Sequence, residues 1–329
     1  MKAIYSFTSR IGAIIVSYID LKRVLGRKFE VEHDILKYLD CFLATSQTDL
    51  TAESFAEWCK TIQHIASSSR RSWMRIVRNL CLYRRRFEPL CFIPNPSQFP
   101  RHNQSIQPHI FTEEEIIRLL DAIKKLKPGT RSILREENFR LALVLFYTSG
   151  LRRSELIRLT ISDYNSLEHT LLIRESKFHK SRLIPLSNDG WNELEDYLSI
   201  RRKLRLPIST DSPLLWNAYK ENGFYTGWGI AFTFRTLFKM ANIRTISGAF
   251  PQLHSFRHTF AVHALLRWYR NGDDVQTKLP FLSIYMGHVS IVSTEYYLRY
   301  VEPLASSASN LFEKHYGGIF PKSDKGGMS

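Results

Sequence analysis

The sequence predicts a mainly α-helical protein with a small β-hairpin or sheet, divided into an N-terminal helical domain and a larger C-terminal domain. Three observations carry that expectation. Over the first ninety residues, apolar side chains recur at three- and four-residue intervals between polar breaks, the period of amphipathic helices. Residues 93–108 then hold four prolines and little periodicity, which marks an extended connection rather than a regular element. Further on, two short apolar runs at 171–173 and 183–184 flank a polar, basic turn, the pattern of a hairpin.

Taken in order, helices are expected over 31–45, 51–67 and 69–87. Thr51 and Glu53 open the second, and Phe55, Trp58, Ile62 and Ile65 follow as its apolar side. These segments make a domain over 1–92, with a linker at 93–110. A new helix opens at Thr112, an N-cap side chain with Glu115 as its reciprocal capping-box partner. Residues 139–148 are the apolar part of a further helix that ends near Gly150, and the hairpin spans 170–185. Helices dominate again from Gly229. The second domain is read as 111–316, and the tail 317–329, with four glycines, as disordered.

The chain has 329 residues, 44% of them hydrophobic, with 21 Phe, 15 Tyr and 6 Trp. That is ample for two cores and excludes global disorder. No apolar run approaches the ~20 residues of a membrane helix. The run at 11–17, although preceded by Lys2 and Arg10, is too short for a secretion signal. Cys41, Cys59, Cys81 and Cys91 form no CxxC pair, so a reduced, cytoplasmic protein with buried thiols is expected.

Charge is more telling. Lys and Arg number 46 against 31 Asp and Glu, a net charge of +15. The excess is +7 over residues 1–110 and +8 over the remainder, so both domains are basic. A polyanion touched from two sides, most often nucleic acid, is the partner this favours. Within 70–86, Arg71, Arg75, Arg78, Arg85 and Arg86 fall on one helical face, with Trp73, Ile76, Val77, Leu80 and Tyr83 opposite. Acids interleaved with the arginines would mean a solvated face. Their absence points to contact with a phosphate backbone.

Four separated boxes carry the chemistry: Thr148-Ser-Gly-Leu-Arg-Arg-Ser-Glu-Leu156, Lys177-Phe-His-Lys-Ser-Arg-Leu-Ile-Pro-Leu186, His254-Ser-Phe-Arg-His258, and Gly287-His288 followed nine positions later by Tyr297. A phosphodiester under attack gains negative charge as it passes through a pentavalent state. Two arginines can hold its nonbridging oxygens by paired, charge-assisted hydrogen bonds. Arg152 or Arg153, together with Arg257, are the candidates. Glu155, three residues beyond Arg152, can hold that guanidinium from the same helix side. A tyrosine with its pKa near 10 needs a base, and the leaving hydroxyl needs an acid.

In this order and at these spacings the boxes resemble the tyrosine recombinase (phage integrase) family over about residues 110–310. The run at 279–288 is similar to recombinases carried by transposons and other mobile elements. The resemblance implies an N-terminal core-binding domain and a C-terminal catalytic domain closing as a clamp on DNA, with no further N-terminal arm-binding domain. It selects Arg152 and Arg257 as the phosphate-binding pair and Lys177 over Lys180 as the general acid. By the same resemblance His254 assists proton transfer, His288 stabilises the transition state, and Tyr297 is the nucleophile, with Tyr296 packed inward. It further implies a 3′-phosphotyrosyl intermediate and a Holliday junction, with no cofactor, metal or ATP. The expected assembly is a monomer in solution and a homotetramer on DNA, with Leu304, Leu311 and Phe312 in a helix that docks on a neighbouring subunit. Other recombinases of the same element are further possible partners, and the location implied is the cytoplasm, at a bacterial nucleoid. Two alternatives stand beside this reading. One is a type IB topoisomerase, which relaxes supercoils with similar chemistry; the other is a catalytically silent DNA-binding accessory subunit. His258 and His263 are read as structural, and Arg153, Arg158 and Arg182 as contacts to phosphate or solvent.

Overall fold

A computed structural model of the chain describes residues 5–101, 107–129, 132–174, 181–219, 222–288 and 290–301. It divides into two compact units, Met1–Ile106 and Gln107–Ser329.

The first unit is four helices: α1 Gly12–Val24, α2 Glu30–Ser46, α3 Ala52–Thr61 and α4 Ser67–Arg84. Helix α1, which covers the apolar run at 11–17, is additional to the helices expected from the sequence. Ile11, Ile15, Tyr18 and Ile19 nevertheless recur at helical spacing, and all four are buried. Helix α3 stops at Thr61, short of the expected 67, because a turn with Ile62 in the core separates it from α4. Thr51 caps α3 by accepting from the Ser54 amide. The core gathers around Trp58, Leu36, Leu39, Val77 and Leu80. Residues 93–101, part of the expected extended linker, pack back on this unit: Phe99 enters its core, and the carbonyls of Pro94 and Pro100 accept from Arg78 and Arg71.

That packing corrects the arginine stripe. Arg75, Arg85 and Arg86 are exposed, whereas Arg71 and Arg78 turn their guanidiniums onto their own chain. Helix α4 also ends at Arg84, so Arg85 and Arg86 sit in the turn beyond it. Arg84 itself is buried, held bidentately by Asp49 at 2.7 Å and by Glu88. The thiols differ from expectation too: all four are free, but Cys41 is exposed and only Cys81 is fully buried.

The second unit opens with α5 Glu113–Ile123, where Thr112 and Glu115 form the expected capping box. Helix α6, Arg135–Ser149, is buried on most sides, packs against α8 (Asn188–Lys203) and α10 (His254–Arg270), and ends at Gly150 in the left-handed conformation. A short α7, Arg153–Leu156, follows. The sheet has three antiparallel strands in the order β1 Tyr164–Asn165, β2 Thr170–Ile173, β3 Arg182–Pro185, one more than the expected hairpin. Its register pairs Leu171 with Ile184 and Ile173 with Arg182. Leu171, Ile173 and Ile184 point into the core while Leu183 is exposed, as a strand's twofold alternation requires. Lys177 and Lys180, which fall between β2 and β3 in the sequence, lie outside the described residues, as do Leu304, Leu311, Phe312 and the glycine-rich tail.

Helices α9 Gly227–Met240, α11 Val275–Met286 and α12 Val292–Glu295 complete the unit. Phe111, Phe146, Phe234 and Phe256 form its aromatic centre, with Phe111 and Phe256 stacked at 4.3 Å. The Phe111 amide donates to Thr259 Oγ1, fixing the unit's first residues to α10. A second apolar cluster, including Val262, Leu265, Leu282 and Met286, joins α10, α11 and the segment bearing Tyr297. Among the described residues no helix is long and apolar enough to cross a membrane.

Candidate active site

Arg152 is placed by the end of one helix and the start of the next. At Gly150, φ is +59°, and a Cβ there would lie 2.6 Å from Phe260. Only glycine reverses the chain here without strain. Two residues later Arg152 caps α7, and its amide donates to Glu155 Oε2 at 2.9 Å. One arm of its guanidinium donates to Glu155 Oε1 at 2.6 Å and the other to the Gly287 carbonyl at 2.9 Å.

Glu155 is almost fully buried and also receives both arms of Arg182 at 3.0 Å. Burial alone would raise its pKa; the hydrogen bonds and charge of Arg182, followed by those of Arg152, more than offset that and bring it down to about 2. Arg182 thus departs from the sequence reading. Its guanidinium faces neither solvent nor a phosphate site but Glu155 and the Tyr285 carbonyl, which accepts from its Nε at 2.8 Å. The proximity of positions 155, 182 and 285 arises from tertiary packing, which residue spacing does not carry.

Arg257, in the first turns of α10, is 1% exposed. It donates to the carbonyls of Gly150, at 2.8 Å, and Met286. Burial first, then the like charge of Arg152, lowers its pKa to about 9, so it stays charged at neutral pH. The carbonyls of Tyr285, Met286 and Gly287, at the C-terminal end of α11, therefore accept from three different arginines. Gly287 ends α11 in the left-handed conformation and hands the chain to His288. His288 Nδ1 pairs with Thr294 Oγ1 at 2.8 Å, which fixes the ring. Thr294 is fully buried and was not singled out from the sequence. Burial, then Arg257 and Arg152, pushes the His288 pKa down to about 3, so its imidazole is neutral near pH 7.

His254 heads α10. Desolvation among its neighbours, then the charges of Arg257 and Arg152, lowers its pKa, although its outer side stays open to solvent. Its ring meets His258 edge-on at 4.7 Å. His258 has a buried Nδ1 without a hydrogen bond, and burial, then His254, lowers its pKa to about 4. Tyr297 is 3% exposed, its ring 5.4 Å from that of His258 and 6.2 Å from that of His288. Burial raises its pKa, and Arg257 opposes that rise. Contrary to expectation, the inward tyrosine of the pair is Tyr297. Tyr296 is half-buried, bonded to the Tyr300 hydroxyl at 2.6 Å, with Arg299 over its ring.

Arg152, His254, Arg257, His288 and Tyr297 all line one open recess of about 760 Å³. Five of the six residues expected in catalysis thus stand together, and the sixth, Lys177, lies outside the described residues. A second recess shares Arg152 and His254 and adds Arg153 and Arg235 to its walls. Two guanidiniums beside three ionisable rings make a place for an anion next to groups that exchange protons. Among the described residues, no three His, Cys, Asp or Glu side chains gather in a metal-binding group.

Comparison with known proteins identifies the family and the fold. The model of the phage integrase family matches residues 109–302. A putative integrase/recombinase of Sinorhizobium fredii, y4rB, is 30% identical over 305 residues, which span 92% of this chain and 96% of that protein. The tyrosine recombinase XerD of Brucella abortus is 32% identical over 200 residues, 59% of this chain and 60% of XerD. Among solved structures, the XerH site-specific recombinase bound to its palindromic difH substrate superposes with a TM-score of 0.61 at 19% identity, over 86% of this chain and 79% of that one. The Tn1549 transposon integrase in complex with transposon right end DNA gives 0.61 at 18% identity, over 87% and 93%. At such identities the likeness is one of fold. The family match and a relative aligned almost end to end place the chain in the phage integrase family, as a tyrosine-type site-specific recombinase.

Proposed function

We propose that this chain cuts and rejoins double-stranded DNA at specific sites through Tyr297, in the integration or excision of a mobile element. The observation that carries the reading is the convergence of Arg152, His254, Arg257, His288 and Tyr297, from separate boxes of the sequence, on one recess. Arg152 and Arg257 hold the nonbridging oxygens of the scissile phosphate and stabilise the charge that develops on them. Tyr297 Oη attacks the phosphorus as His254 takes its proton. The bond from phosphorus to the 5′ oxygen breaks, Lys177 gives that oxygen a proton, and a 3′-phosphotyrosyl link remains. His288 donates to the phosphate in the transition state. The link conserves the ester bond, so a partner strand's 5′ hydroxyl reseals it without ATP, through a Holliday junction when two sites are exchanged. The charge needed comes from side chains, and no metal takes part.

Four subunits on two DNA sites are the assembly this exchange requires, formed from monomers on DNA. Arg75, Arg85 and Arg86 on the helical unit add phosphate contacts of their own, and their exposure supports that role. The test uses nicked DNA spanning the flanks of the gene, in EDTA, with the wild type and Tyr297→Phe. A denaturant-resistant protein–DNA adduct from the wild type alone is expected. Tight binding without any adduct would overturn the proposal in favour of an accessory DNA-binding role.

A further inference from the structure

We propose that Arg182 is a positioning residue of this site, holding Arg152 and the His288 turn in one geometry; the inference rests on the strand-cleavage reading above. Arg182 stands on β3, does not line the recess, and has a side chain only 8% exposed. Its contacts close a circuit. Both its arms reach Glu155, Glu155 holds the backbone and the guanidinium of Arg152, Arg152 reaches the Gly287 carbonyl, and Arg182 Nε returns to the Tyr285 carbonyl two residues earlier. Strand β3, the α7 cap and the end of α11 are thereby tied at one guanidinium.

Gly287 bears on the same point. A Cβ there would lie 2.8 Å from an arm of Arg182, so the guanidinium is packed against a residue with no side chain. Such a contact has room for the planar head but for little displacement of it. Arginine is needed because its rigid fork spans both carboxylate oxygens while Nε serves a carbonyl. A lysine ammonium is a single point and cannot fill three directed contacts. With Arg182 gone, Glu155 keeps Arg152 but loses its own anchor, and the Arg152 guanidinium drifts relative to Arg257. Misplacement by about 1 Å at a reacting centre can cost about a hundredfold in rate.

The test measures adduct formation at saturating nicked DNA, with DNA affinity measured separately, for Arg182→Met, Arg182→Lys, Glu155→Gln and the Arg182→Met/Glu155→Gln pair. The expected result is a rate about tenfold or more below wild type for both Arg182 variants, with Kd for DNA within about twofold. The pair should be no slower than the slower single variant, because both changes break one circuit. A second readout needs neither DNA nor turnover. The Arg152 guanidinium NMR signal, assigned with Arg152→Lys, should be sharp in the wild type and broadened or shifted in Arg182→Lys, the variant that best preserves folding. Rates near wild type, a rate loss matched by an equal loss of affinity, additive effects in the pair, or an unmoved Arg152 signal would each overturn the proposal. An inactive wild type would instead overturn the strand-cleavage reading, and the Arg152 signal would still decide this one.

Discussion

Replacing Glu155 by glutamine keeps the side chain's shape and removes its charge, at a position where the side chain is 1% exposed. The carboxyl titrates near about 2 instead of its ordinary 4.5, because Arg182 and Arg152 outweigh the effect of burial. Over that interval, at about 1.4 kcal/mol per pH unit, the carboxylate contributes about 3 kcal/mol of stability. Removing one member of a buried ion pair typically costs about 3–5 kcal/mol, an independent route to the same magnitude. The sign follows from the lowered pKa. The contribution is complete above pH 4.5 and is lost as pH falls through 4.5 toward about 2, since the unfolded chain takes up the proton first. Urea unfolding of the full chain, with each transition fitted separately, should therefore show Glu155→Gln about 3 kcal/mol less stable than wild type at pH 7. The gap should narrow steadily below pH 4.5. A gap under about 1 kcal/mol at pH 7, the size expected of an exposed pair, would refute the reasoning. So would a gap that stays constant on acidification.

Gly150→Ala should destabilise the second unit by about 1–3 kcal/mol, through a left-handed φ and a collision with Phe260, and a melting temperature equal to wild type would contradict this. His288 carries its proton only below about pH 3, against an ordinary 6.5, so its burial supports folding above pH 6.5 and progressively less as pH falls from there to about 3. His288→Gln should flatten that part of the pH–stability curve, and parallel curves for variant and wild type would show the assignment to be wrong. Arg75→Ala, Arg85→Ala and Arg86→Ala should each reduce the slope of log affinity against log salt by about 1 on non-specific duplex DNA. Arg71→Ala and Arg78→Ala should instead lower the stability of the helical unit by about 1 kcal/mol, having lost their bonds to Pro100 and Pro94. Equal salt slopes across all five variants would count against that division.

Much of the fold and site was readable from local signals. Thr112 and Glu115 announce a helix start because a capping box is a contact between near neighbours, and Gly150 announces an end because few residues take a left-handed backbone. The boxes around Arg152, His254, Arg257 and His288 were visible for a similar reason: each lies beside a helix end or turn with its own chemistry. What escaped the sequence depends on distant partners. Arg71 and Arg75 are both arginines on a basic helix, and only the return of residues 94–100 makes one a tie and leaves the other exposed. Tyr296 and Tyr297 are adjacent and identical in type, so which of them turns inward depends on how the segment packs against α10 and α11. Helix α1 is hidden for another reason: an apolar run behind Lys2 and Arg10 has the same composition in a leader and in an amphipathic helix, and only the burial of Ile11, Ile15, Tyr18 and Ile19 separates the two.

The carbonyls at the end of α11 have an electrostatic consequence. Arg152, Arg182 and Arg257 each find a peptide oxygen there, and among the described residues Glu155 is the one carboxylate bonded to them. Three guanidiniums against one carboxylate leave a local surplus of two positive charges. Peptide dipoles orient a cation and satisfy its donors without neutralising it, whereas a carboxylate for each arginine would have made a site with nothing left to offer a phosphate. On the proposed function, a scissile phosphate would add its charge to that positive surplus instead of displacing a resident anion.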